Sequence, residues 1–375
     1  MWEKAWGHLR THTAHQFRGI QSAFEMSQTF EASDHQELAT RRREGAWRKR
    51  LSVTVPSSPS RFLQFLVGFL PIRDLLDSTL FRACRLDAWL SWLIAFFTGA
   101  VTAFEKYQFP VTGLVLPMLA FSLMTASIFV LNQCFDVEND RVNRYKSNLP
   151  MARGELSFRK GLLLSLCLLV SSAVLSALVE QVFNLLMLTC FSLWFAYSYP
   201  KMHLKSKPVV DLIIAGMGAG LMPFVAGWNA LSPSLSFPVS LGLAFLFAQA
   251  GGHTLHIAGD READSLLGLN TSAVRFGARV VSRWGFIFFL FSLTLFIISV
   301  YKRETPLLVA VIPTLMLPLA SPIISRYVTV VRRGADTPSS LEGMRKGIAC
   351  FQLCLLAAYS LAFLLIVAVY PSLGR

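Results

Sequence analysis

The chain has 375 residues, of which 54% are hydrophobic and only 15% charged, with a formal net charge of +13 and a mean hydropathy of +0.50. A soluble domain carries about 25% charged residues, so this composition excludes an ordinary soluble enzyme and points to a chain that crosses a membrane several times. The basic excess sits between apolar runs and in the first stretch, which suits a lipid surface and anionic substrates and gives no reason to expect a nucleic-acid partner.

Residues 1–60 are polar and mixed in charge, and are expected to form a basic, disordered cytosolic extension. No apolar run follows the N-terminus, so no cleaved secretory signal is expected. Glu3, Glu25, Glu31, Asp34 and Glu37 also argue against an organellar transit peptide, which is poor in acids. The run from Arg41 to Arg50 reads as a contact for anionic lipid, and Ser52 to Ser60, with Pro56 and Pro59, as a linker. Within 61–87, the apolar stretch Phe62 to Leu70 is short and stopped by Pro71, so it is expected to lie at the interface rather than to span.

Residues 88–370 carry apolar runs of about twenty residues, each long enough to cross roughly 30 Å of hydrocarbon. Nine spans are read, at 88–104, 111–131, 161–179, 182–199, 209–228, 237–256, 284–301, 306–325 and 347–370. The second, fourth, sixth and eighth loops together hold 18 Lys and Arg, the other loops only 3. That asymmetry places the even loops and the N-terminus in the cytosol and the C-terminus on the far side; the membrane is expected to be the endoplasmic reticulum or an equivalent internal one. Cys84, Cys134, Cys167, Cys190, Cys350 and Cys354 show no C-x-x-C pair; they read as small core residues, not as a disulfide or zinc framework.

The even loops also hold the chemistry. After the second span comes Asn132-Gln-Cys-Phe-Asp136-Val-Glu-Asn-Asp140. If the helix continues, Asn132, Asp136 and Asp140 stack on one face at i, i+4 and i+8. Carboxylates so placed lie about 6 Å apart and repel by roughly 3 kcal/mol at an effective dielectric of about 20. They therefore call for a cation or basic neighbours. Asp260 and Asp264 repeat the spacing after the sixth span, and the basic residues of the loops lie between the two clusters. Oxygen ligands with little else suit Mg²⁺ bound together with a polyanion, while a structural ion-pair network is the competing reading. His203 and His256 read as boundary residues before they read as ligands, and Tyr197 and Tyr199 as aromatic-belt residues or phosphate contacts. Gly216, Gly218 and Gly220 follow no strand, so they signal close helix packing and not a dinucleotide site. There is no Ser/His/Asp arrangement, phosphate-binding loop or haem motif.

Taken together, Asn132-x-x-x-Asp136-x-x-x-Asp140, Tyr197-x-x-x-Lys201 and Asp260-x-x-x-Asp264 resemble the three signatures of the UbiA-type intramembrane prenyltransferase superfamily. The segment N-Q-C-F-D-V-E-N-D-R-V-N, followed by L-P-M-A-R-G-E-L-S, is similar to its homogentisate branch. The resemblance covers roughly Arg85 to Tyr370 and implies an all-α bundle of about nine transmembrane helices around a central cavity. It implies a first Mg²⁺ site at Asn132, Asp136 and Asp140 and a second at Asp260 and Asp264. It implies diphosphate contacts from Tyr197, Lys201, Lys205 and either Arg144 or Lys146. The implied reaction is ionisation of an allylic prenyl diphosphate, with transfer to a small aromatic acceptor. The alternative within the superfamily is a membrane terpene cyclase, in which the substrate's own double bonds capture the cation. The chain departs from the superfamily pattern at His256, where a further acid is common, and at Arg144-Tyr-Lys-Ser-Asn-Leu-Pro150, where a K-P-x-R-P-like turn is usual.

Overall fold

The computed structural model describes residues 78–107, 111–143, 145–232, 236–315, 324, 325, 348 and 351–361. The expected cytosolic extension, the linker, the interfacial run Phe62 to Leu70 and Arg144 lie outside the described residues.

Seven long helices follow in chain order: α1 Leu90–Tyr107, α2 Val115–Val142, α3 Phe158–Ala177, α4 Gln181–Ser198, α5 Val210–Ala230, α6 Val239–Leu266 and α7 Ala278–Tyr301. They fall in order on the first seven expected spans; the eighth and ninth are described only in part, as helix at 307–315 and at Phe351–Leu361. Helices α2, α3, α4, α5 and α7 are long and apolar enough to cross a membrane. This is an all-α, multi-pass membrane protein. The least buried of these helices are α3 and α7. Leu162, Leu163, Leu166, Val170 and Val174 on α3, and Leu290, Phe291 and Ile297 on α7, are exposed where hydrocarbon would solvate them.

Two helices run well past the apolar stretch that announces them. Helix α2 continues to Val142, beyond the expected end at Leu131, and α6 to Leu266, beyond the expected end at His256. No Pro interrupts either extension, and the single glycine, Gly259 on α6, is carried within the helix, so the intrahelical hydrogen bonds continue into the polar sequence. The acidic motifs therefore ride on rigid helix and not on loop. Side-chain caps set the starts of α3 and α4. The Glu180 carboxylate accepts from Val182 N (2.8 Å) and Phe183 N (3.2 Å) ahead of α4, and Ser157 caps α3.

Hydrogen bonds and small residues bring the helices together. Ser127 Oγ on α2 lies 2.8 Å from Ser165 O, and Ser172 Oγ donates to Ala120 O at 2.8 Å, fastening α3 to α2. On α5 the glycine run forms a π-helical turn, Met217–Leu221, between two α-helical halves. A Cβ on Gly218 would stand 2.4 Å from Trp194 Nε1, and one on Gly220 2.3 Å from Phe245 O. The packing reading of that run holds. Closer still is the contact of α1 with α5, where a Cβ on Gly99 would meet Phe224 O at 2.0 Å and one on Gly227 would meet Phe96 O at 1.8 Å. Backbone cannot give way as a flexible side chain can. Gly227→Ala is therefore expected to cost more than the roughly 1–3 kcal/mol of ordinary overpacking. Gly113→Ala, whose Cβ would lie 3.7 Å from Leu231 Cδ2, should be silent. Melting temperature and detergent-extracted folded yield of the two variants check this; an equally stable Gly227→Ala protein would contradict the packing.

Candidate active site

The polar extensions of α2 and α6 meet. Asn139 Nδ2 donates to Asp264 Oδ1 at 3.0 Å, and Asn143 Nδ2 donates to Asp260 Oδ1 at 3.1 Å. An i, i+4 pair of amides thus faces an i, i+4 pair of carboxylates from a segment more than a hundred residues away. The acidic face of α2 lies alongside. Asn132 Nδ2 donates to Asp136 Oδ2 (2.8 Å) and to Ser198 Oγ (3.0 Å), and Asp136 is paired with the ammonium of Lys205. Asp136, Asp140, Lys205 and Asp264 are all buried. Asp140 lies within electrostatic reach of Lys146, Asp136, Arg85 and Lys205.

Lys146 Nζ binds Asp260 Oδ2 at 2.9 Å. Burial by itself would lower the pKa of this lysine, but Asp260 and Asp140 more than offset that and hold it above its ordinary value. It is a fixed cation. His203 moves the other way: burial and then the Lys205 charge lower it, with Asp136 opposing, so it is neutral near pH 7.

The geometry sorts the residues named from the sequence. Asn132, Asp136, Asp140, Asp260, Asp264, Lys146 and Lys205 are gathered at one end of the bundle. Lys201 is exposed and makes no ion pair or hydrogen bond among the described residues, and Arg144 lies outside them. Helix α4 ends at Ser198, and the chain turns through His203 at φ 44°, which throws Lys201 outward and carries Lys205 in. Tyr197 is buried on the last turn of α4, its Oη 3.0 Å from His253 Nε2. His256 is exposed, its ring 6.3 Å from that of His253.

Three contributors were given no role from the sequence. Asn139 and Asn143, inside the acidic segment of α2, are two, and the third is Arg85, whose backbone is left-handed at φ 50°. The Arg85 guanidinium stands 5.5 Å over the Phe129 ring, and its charge acts on both Asp140 and Lys146. From Phe129 an aromatic row leads inward: Phe129 to Trp92 at 5.5 Å, Trp92 stacked on Trp194 at 4.9 Å, and Trp194 edge-on to Tyr197 at 5.0 Å.

Among the described residues, no three His, Cys, Asp or Glu side chains converge closely enough to enclose a metal ion by themselves. The donor set is nevertheless suited to Mg²⁺, which takes one or two carboxylates and completes its shell with water or phosphate oxygen. A further oxygen is on hand: Asn139 Oδ1 is buried without a hydrogen-bond partner, next to Asp264. Four carboxylates against Lys146, Lys205 and Arg85 leave the site one negative charge in excess. A polyanion could enter only with additional cations.

The model of the UbiA prenyltransferase family matches residues 91–340. The chain belongs to that family. Among its UbiA relatives, a digeranylgeranylglyceryl phosphate synthase of Sulfurisphaera tokodaii is 30% identical over 148 residues, 39% of this chain and 51% of the relative. A glycinol 4-dimethylallyltransferase of Glycine max is 30% identical over 180 residues, 44% of this chain and 42% of the relative. The chain thus spans about half the length of these curated relatives. A UbiA homologue from Archaeoglobus fulgidus, solved bound to GPP and Mg²⁺, has the same fold with a TM-score of 0.57 at 23% identity, over 76% of this chain and 100% of the homologue. A UbiA homologue from Aeropyrum pernix, solved without ligand, gives 0.59 at 17% identity, over 75% and 99%.

Proposed function

We propose that this UbiA family protein ionises an allylic prenyl diphosphate, farnesyl diphosphate or one of similar length, and transfers the prenyl group to a small aromatic acceptor. The observation that carries the reading is the meeting of the two aspartate pairs through Asn139–Asp264 and Asn143–Asp260, with Lys205 and Lys146 held against them. Asn132, Asp136 and Asp140 on one helix, and Asp260 and Asp264 on the other, would hold Mg²⁺. The A. fulgidus homologue, solved with GPP and Mg²⁺, supports the choice of metal. When bound, Mg²⁺ supplies the positive charge that stabilises diphosphate as it leaves.

The chain's own groups do the rest. Lys205 and Lys146 neutralise part of the diphosphate charge and orient it; Tyr197, Lys201 and Arg144 belong to the same set by motif. The carboxylate–ammonium pairs keep the site assembled before substrate arrives. The row from Phe129 to Trp194 presents aromatic faces to the allylic cation and excludes water from it. The aromatic acceptor is proposed from the likeness to the homogentisate branch, and its attack on the allylic carbon releases a ring proton. The active end faces the cytosol, in an internal membrane.

A second reading is favoured by the same aromatic row: a cation that persists through ring closure needs such surfaces more than one captured at once. Membranes containing the protein, supplied with Mg²⁺ and farnesyl diphosphate, decide between the two. The transferase reading predicts no volatile hydrocarbon by mass analysis and a prenylated product only when an aromatic acceptor such as homogentisate is added. A cyclic hydrocarbon formed without acceptor would replace it with the cyclase.

A further inference from the structure

Beyond the residues placed around the diphosphate, the loop that carries Lys205 is fastened to the segment that follows Asp264. Asp211 is completely buried and accepts three hydrogen bonds, from Ser272 N at 2.8 Å, Ser272 Oγ at 2.5 Å and Leu212 N at 2.9 Å. Ser272 Oγ in turn accepts from Val209 N at 2.7 Å, and Ser206 Oγ accepts from Asn270 N at 3.0 Å. Ser272 is itself fully buried. Val209 adopts φ 71°, a conformation costly for a β-branched residue, and this strained residue is the one whose N–H the Ser272 hydroxyl holds.

The chain between these anchors is short. Lys205 lies one residue before Ser206 and six before Asp211, and Asn270 and Ser272 lie six and eight residues after Asp264. The bonds therefore fix the reach of Lys205 toward Asp136 relative to the end of α6 that carries the second aspartate pair. A lysine stem is flexible and costs rotamer entropy to order. Here the ordering is done by its backbone.

We propose that Asp211 and Ser272 form a clasp that positions Lys205 for the diphosphate, so that they set substrate affinity without touching substrate. The proposal rests on the reading that Lys205 contacts the diphosphate. Breaking the clasp lets the 203–209 loop relax from its strained path and withdraws the ammonium. Because Lys205 binds the diphosphate before and during departure, its displacement weakens binding and leaves the chemical step largely intact.

The test is a double-mutant cycle on the purified full chain, read as the dissociation constant of farnesyl thiolodiphosphate, an unreactive analogue, at saturating Mg²⁺. Asp211→Asn and Ser272→Ala are each expected to raise that constant about tenfold or more, the scale of one lost charge-assisted hydrogen bond. Lys205→Ala should raise it at least as far, and adding either clasp substitution to Lys205→Ala should change nothing further. Ser272→Thr, which keeps the hydroxyl, should stay near the unsubstituted protein. A clasp substitution that only lowers the folded fraction would reduce the number of sites and leave the constant unmoved, which overturns the proposal. Equal weakening with and without Lys205 also overturns it, since the clasp would then act by another route. Undiminished binding in Lys205→Ala would instead remove the lysine from the diphosphate site, and the proposal with it.

Discussion

Replacing Asp136 with Ala is expected to lower turnover by about a thousandfold or more, and Asp260→Ala by a similar factor. Loss of a single preorganised electrostatic contact to developing charge commonly costs about 10²- to 10³-fold, and each aspartate would also support the Mg²⁺ that makes diphosphate a leaving group. The two variants should differ in stability. Asp136 and Lys205 form a buried pair, with side chains 9% and 10% exposed, so Asp136→Ala strands an ammonium inside the protein. That costs about 3–5 kcal/mol where an ion pair is fully buried. The partner of Asp260, Lys146, is 28% exposed and can turn to water, so Asp260→Ala should leave folded yield nearly unchanged. Initial rates normalised to folded protein separate the two effects. Full activity in either variant contradicts the two-site reading.

Asp264→Asn and His256→Asn should part company in a Mg²⁺ titration. Asp264 is buried and in the cluster, accepting from Asn139; removing its charge is expected to move the Mg²⁺ midpoint up by about tenfold or to abolish activity. His256 is exposed, and an imidazole is a poor partner for a cation that prefers hard oxygen. His256→Asn should keep its midpoint within about twofold. A shift as large as that of Asp264→Asn would place His256 among the ligands.

The acidic face of α2 was legible because Asn132, Asp136 and Asp140 repeat at the helical period and directly continue an apolar span. Its persistence as helix to Val142 follows from the lack of any breaker. The glycine run on α5 was legible for what it does, though not as a π-helical turn, whose glycines lie against Trp194 and Phe245 of two other helices. What failed to show were the partners. Asn139 and Asn143 look like ordinary solvated amides until α6 is laid against them. Arg85 stands more than fifty residues before the acids, on a turn whose left-handed backbone no spacing announces. Tyr197-x-x-x-Lys201 suggests a helical repeat, yet α4 ends between its two members, so the lysine that pairs with Asp136 is the one after the turn at His203. The role of Asp211 was not legible because its partner is sixty-one residues away.

The central claim is that these two aspartate pairs drive metal-dependent departure of diphosphate, and inorganic diphosphate released by the purified protein from farnesyl diphosphate measures it most directly. With an aromatic acceptor present, release should rise with Mg²⁺, stop in excess chelator, return when Mg²⁺ is restored, and be absent from Asp136→Ala and Asp260→Ala protein. Release that persists in chelator, or in either variant, would contradict the account.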